Sequence, residues 1–137
     1  MSEQSDPQKK LKIQKGIRQA EDDLVIWIKI ALDQTNYGDL EESQFRNLVR
    51  VADTTDSAEV IKNFIYYQVG RDKKWGRGKG SLAEKIIEDI DHSIQKTALI
   101  IGECCEADFK PIWLELIRRY LGYGARHLKF KRNGNAA

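Results

Sequence analysis

The chain has 137 residues, of which 41% are apolar and 32% charged, with two prolines and a formal net charge of +2. Such a composition suits one folded, helix-rich domain and excludes a disordered tail, while the length excludes a catalytic domain joined to a recognition domain. No run approaches the roughly 20 apolar residues of a membrane span, and the polar start MSEQSDPQKK lacks the apolar centre of a signal peptide, so a cytoplasmic protein without membrane contact is expected.

Apolar residues recur at helical steps nearly throughout. Ile13, Ile17, Ala20, Leu24, Trp27 and Ala31 outline a first helix, which NYGD stops at Gly38. A second helix in DLEESQFRNLVRVAD turns Phe45, Leu48, Val49 and Ala52 to one side, and DTTDS interrupts it with residues that favour caps and turns. The third begins at a cap on Asp56 or Ser57, carries Val60, Ile61, Phe64, Ile65 and Gln68, and ends at Gly70. Ser81 followed by Glu84 reads as a capping box opening a fourth helix, with a ridge of Leu82, Ile86, Ile90, Ile94, Ala98 and Ile101. The last begins near Ala107, tolerates Pro111 in its first turn and aligns Phe109, Ile112, Trp113, Leu116, Ile117 and Tyr120. An all-α fold follows, a single compact bundle of about five helices over residues 1–137, with residues 1–8 and 131–137 as disordered ends and 71–80 as a flexible, basic, glycine-rich loop.

Enzyme motifs fail one by one. In GRGKGS, Gly80 stands where a phosphate-binding loop needs Ser or Thr directly after the lysine, and Gly76, Gly78 and Gly80 lack dinucleotide-fingerprint spacing. His92 and His127 are far apart, Cys104 and Cys105 are adjacent and lack a metal-ligand spacing, and Glu84/Glu88 or Asp22/Asp23 suit solvated helix faces. No catalytic residue, metal site or cofactor is assigned.

Charge is unevenly placed. Residues 1–60 hold 8 basic and 12 acidic side chains, a sum of −4, so residues 61–137 carry +6. GRDKKWGRGKG at 70–80 has five cations against Asp72, and residues 110–132 have seven against Glu115, with an acidic segment at 81–109 between them. A fold joining the two blocks would separate a basic face from an acidic one. Arg46 and Arg50, four apart, project together from the second helix, and Lys62 lies outward on the third. Lys73, Lys74, Arg77 and Lys79 are mobile cations beside Trp75, a candidate for stacking on a base, while Arg118, Arg119, Arg126, His127, Lys129, Lys131 and Arg132 form a basic strip. Guanidinium forks and lysine point charges suit phosphate oxygens and give affinity without base reading. Macrodipole complementation and plain solubility account for such cations equally well.

NFIYYQVGRD, preceded by LEESQFRNLVRVAD and followed by FKPIWLELIRRYLGYGARH, resembles the small helical subunit of Csm-type (type III-A) CRISPR interference complexes over roughly residues 40–128. Tyr67, Gln68, Gly70 and Arg71 match that family's Tyr-Gln-x-Gly-Arg-like turn, and Gln44 with Arg46 its Gln-x-Arg-like element. The run from Lys73 to Gly80 is longer and richer in glycine than the family's usual connector. The resemblance implies a non-catalytic subunit that stacks with copies of itself beside the large and backbone subunits and holds the backbone of guide RNA paired with target RNA. By position it makes Arg46, Arg50, Lys62 and Arg71 the leading RNA contacts and Arg126 a further one. Lys73 and Lys129 complete the RNA set, and Lys74, Arg77 and Lys79 serve RNA, a neighbouring subunit or a displaced strand. Two other readings stand beside it. In one, DTTDS is the turn of a helix-turn-helix regulator of DNA; in the other, the chain is a helical protein adaptor.

Overall fold

In the computed structural model, which describes residues 6–133, the chain forms α1 (Asp6–Gln34), α2 (Glu42–Thr54), α3 (Ala58–Arg71), α4 (Leu82–Asp89), a π-helical turn (Ile90–Ile94), α5 (Gln95–Cys105) and α6 (Phe109–Asn133). Helical dihedrals run unbroken from α4 through the π turn into α5, so these three make one rod and the bundle has five. It is the all-α architecture that the periodicity implies. Among the described residues no helix is long and apolar enough to cross a membrane.

The π turn has a cause in the spacing of the ridge. Leu82, Ile86, Ile90, Ile94 and Ala98 are all four apart, and in a regular helix each such step overshoots a 3.6-residue turn by about 40°. The stripe would therefore wind around the rod. A π turn takes up extra residues and swings it back, and all five side chains are fully buried. The indole N–H of Trp113 on α6 donates to the Ile90 carbonyl at 2.8 Å, fixing the turn against its neighbour.

α6 packs against α1, α2 and α5. A Cβ at Gly124 would lie 2.7 Å from the Phe45 ring of α2 and 2.8 Å from the Ile28 side chain of α1, so glycine leaves room for both side chains there. Ile28 and Leu32 are fully or almost fully buried, whereas Trp27, expected on the core face, is half-buried at its margin. α1 is flanked by both α6 and the α4–α5 rod, so its buried arc is wider than one stripe and centred a residue away.

Three boundaries differ from expectation. α1 ends four residues before Gly38, because Tyr37 donates its hydroxyl to Leu32 O at 2.6 Å and Thr35 donates to Ala31 O. α3 passes through Gly70 and is capped at Asp72. At the ends assigned to disorder, residues 6–8 and 131–133 are helical, and the remaining residues of both stretches lie outside the described residues. Lys131 and Arg132 are tied down: Lys131 Nζ donates to Leu32 O at 3.2 Å, and Arg132 donates to Leu40 O at 2.8 Å and Gly38 O at 3.3 Å. Ser57 proves to be the cap of α3, accepting from Val60 N–H.

The glycine-rich loop is anchored by its tryptophan and by backbone bonds. Trp75 is 2% exposed and stacks on Phe45 with ring centroids 5.5 Å apart, which withdraws it from any base. Backbone bonds join the loop to the segment after α1, from Gly38 N to Lys74 O (3.1 Å), Asn36 N to Gly80 O (2.9 Å) and Leu82 N to Asn36 O (3.2 Å). Gly76 sits at φ +79°, where a Cβ would meet Asn36 O at 2.3 Å. Composition suggested a solvated connector; one buried indole and these bonds outweigh it. Ser81 caps α4 by accepting Glu84 N–H, while Glu84 reaches back to Gly80 N–H at 2.8 Å in place of the cap's own amide. Trp75→Ala is expected to cost about 3–5 kcal/mol, as large-to-small changes at buried aromatics do, and urea denaturation measures it.

Asp89, 2% exposed, accepts the Tyr120 hydroxyl at 2.6 Å and lies 3.2 Å from Lys85 Nζ. Burial pushes its carboxyl above the usual range, more than Tyr120 and Lys85 pull it down. A carboxyl whose folded pKa exceeds its unfolded one contributes fully below the unfolded value and loses that contribution as pH rises through the folded value. Asp89→Asn keeps an acceptor for Tyr120 and removes the titration. It should therefore gain stability relative to the parent between about pH 4 and about pH 7, read by urea midpoints at the two pH values.

Candidate nucleic-acid interface

α2 buries Phe45, Leu48 and Ala52, and α3 buries Ile61, Ile65 and Gln68, so each helix presents its remaining polar flank to the seam between them. A three-residue connection, Thr55 to Ser57, returns α3 along α2. The result is a surface groove of about 450 Å³. Asn47 and Arg50 line it from α2, and Phe64, Tyr67, Gln68 and Arg71 from α3. No carboxylate lines the groove. Arg50 donates to Asn47 Oδ1 at 2.8 Å, Phe64 and Tyr67 meet at 6.2 Å in a tilted pair, and Arg71 has no side-chain partner among the described residues. The adjacent Asp72 carboxylate turns away to accept Lys74 N–H at 2.9 Å.

Of the cations expected to converge, Arg50 and Arg71 do so and the others do not. Arg46 is ion-paired with Glu42 one turn earlier and does not line the groove, so the two arginines of α2 part company. Lys62 is a clear correction. Only 14% of its side chain is exposed, and its ammonium lies 2.8 Å from Asp91 and 3.0 Å from Glu59. Burial lowers its pKa and those two carboxylates more than restore it, so the net shift is upward and the charge is neutralised in place. In the loop, Lys73 and Lys79 are exposed and without side-chain partners among the described residues, Lys74 is half-buried, and Arg77 donates to Val69 O at 2.7 Å near the end of α3.

The basic strip on α6 is largely turned to internal work. Arg118 donates to Ala52 O and Thr55 O at 2.8 Å each, satisfying carbonyls at the end of α2. Arg119 bridges Glu115 and Glu21, and the Tyr123 hydroxyl bond, above all, holds the Glu21 carboxyl below its usual range. His127 and Lys131 share Asp33. Arg126, over the Tyr123 ring at 5.8 Å, and Lys129 stay exposed on α6, outside the groove. The continuous strip implied by the sequence is thus replaced by a groove pair, loop lysines and an α6 pair. Asn47 and Tyr67 were not singled out as contacts. Their signal was present, since 47, 50 and 54 on one helix and 64, 67, 68 and 71 on the other follow steps of three and four.

Among the described residues no group of three or more His, Cys, Asp or Glu is placed to hold a metal ion. No family model matches the chain, and no curated protein or solved structure is detectably similar to it.

The different surroundings of Lys62 and Arg71 separate experimentally. Lys62→Gln is expected to destabilise the fold by about 0.5–1 kcal/mol and leave phosphate-dependent binding unchanged. Arg71→Gln should alter stability by no more than about 0.5 kcal/mol and weaken that binding, as urea denaturation and retention on immobilised RNA together report.

Proposed function

We propose that the protein is a non-catalytic helical subunit of a ribonucleoprotein, of the kind that the small subunits of type III interference complexes represent. In this reading it holds an RNA backbone along the α2–α3 groove and the neighbouring loop. The observation that carries it is the groove itself, two arginines beside an exposed aromatic with no carboxylate among them. Arg50 and Arg71 supply guanidinium forks that match phosphate oxygens, and Lys73 and Lys79 extend the positive field along the loop. Many of the cations elsewhere are neutralised internally, so the groove keeps its sign on a chain whose net charge is small. Guide RNA paired with target RNA already carries its sequence information in the pairing, and a backbone clamp is what such a duplex needs from a subunit. The acidic rod of α4 and α5, with Leu99 and Ile100 exposed, is the side offered to the large and backbone subunits and to further copies.

One observation favours a protein adaptor instead: Val60 and Tyr66 stand exposed on α3 beside the groove. The DNA-regulator reading is the weaker, because the outer face of α3 carries Glu59, Val60, Asn63 and Tyr66, and Lys62 is locked to Asp91. Exchanging Arg50 and Arg71 together for glutamine is expected to weaken binding to unrelated RNA sequences alike and to reduce the slope of log affinity against log salt by about 1.5–2, the contribution of two phosphate contacts. Fluorescence anisotropy at several salt concentrations measures both. An unchanged slope in the double variant rules out the groove as the RNA site, and no RNA affinity in the parent protein leaves the adaptor reading.

A further inference from the structure

Among the described residues three polar or charged residues are buried, and two are satisfied: Ser81 accepts Glu84 N–H, and Asp89 holds Tyr120 and Lys85. The third is Gln68. It is 9% exposed, it lines the α2–α3 groove, and its amide makes no hydrogen bond to another described residue. A buried amide without a protein partner is costly to keep, and an apolar residue of the same size would fill that space more stably. Beside it Tyr67 leaves 60% of its surface exposed, although Phe64 braces it from within the same groove.

A phosphate clamp explains neither feature. Arg50 and Arg71 suffice for phosphate, whereas an aromatic face and an amide that offers a donor and an acceptor side by side are complementary to a nucleobase, its face and its edge respectively. Bases in a paired A-form helix hide both. We infer that the groove takes an unpaired nucleotide, with its base stacked on Tyr67 and hydrogen-bonded by the Gln68 amide and its phosphate held by Arg50 and Arg71. This rests on the RNA-binding reading above and adds the strandedness of the ligand. The subunit then grips a splayed-out nucleotide at a discontinuity in a duplex, or a single strand, and intact duplex engages only its cations.

The test uses the full chain and two probes, a short single-stranded RNA of mixed sequence and the same sequence fully paired with its complement. The parent should prefer the single strand. Tyr67→Leu should weaken single-strand binding by about 5- to 150-fold, the loss of one base stack, leave duplex affinity and the salt slope unchanged, and be rescued by Tyr67→Phe. Gln68→Met separates ligand recognition from a structural role. It is expected to leave the urea midpoint unchanged or raised while single-strand affinity falls, whereas a merely structural glutamine gives a lower midpoint with affinity intact. If Tyr67→Leu and Gln68→Met both bind the single strand like the parent while the double glutamine exchange at Arg50 and Arg71 does not, the nucleotide pocket is overturned, the backbone clamp survives and the tyrosine face is left to a protein partner. If the parent binds neither probe, the RNA-binding reading fails first.

Discussion

Phe45 stands where four parts of the chain meet. Its ring lies against α6 at Gly124, beside Ile28 of α1, and stacks on Trp75 of the loop. Interiors are packed as densely as organic crystals, so a ring with neighbours on several sides fixes the rotation of its helix as well as its position. Once Phe45 is inward, Leu48 and Ala52 follow it into the core, and Asn47 and Arg50 are turned to the flank that α3 meets. The chemistry of the groove is a consequence of where one aromatic residue is buried.

The same contact disciplines the loop. Four glycines and five cations in eleven residues would remain solvated on their own, and backbone order there comes from anchoring Trp75 and from pairing with the segment after α1. Ordering lowers the entropy cost of using Lys73 and Lys79 on a ligand, because the backbone that carries them is already placed. α3 thus leads from the groove, through Arg71, straight into a fixed basic turn.

Charge in this molecule is sorted by reach. Arg118, Arg119, Lys131 and Arg132 extend from α6 to carbonyls and carboxylates on α1, on α2 and on the connection between them, and Lys62 crosses from α3 to Asp91 of the π turn. These pairs fasten helices far apart in sequence. Among the described residues other cations stay uncommitted in several places, including Lys10, Lys12, Lys15 and Lys29 on α1 and Arg71, Lys73 and Lys79 at the end of α3 and in the loop.

Much of the architecture was legible in the sequence, because apolar periodicity is a local signal that survives into the fold: the five rods, the Ser81 cap and the fully buried ridge of α4 and α5 all follow from spacing. The widened core arc of α1 was not, since it depends on how many neighbours the helix has. Of the candidate contacts, Arg50 and Arg71 lie together in the groove, Arg46 is paired with Glu42 four positions earlier, and Lys62 and much of the α6 strip are paired with distant groups. A lysine or arginine in the sequence shows its charge but not its partner, and the partners of Lys62, Arg119 and Lys131 lie 29, 98 and 98 positions away. Sequence by itself determined which stretches would be helical and, for α2, α4 and α6, which face would be buried, because both are settled within a few turns. Only the tertiary structure decided which cations are neutralised, that Trp75 is core, and that the Gln68 side-chain amide is buried with no hydrogen-bond partner among the described residues, because each depends on contacts between segments that the chain brings together only when it folds.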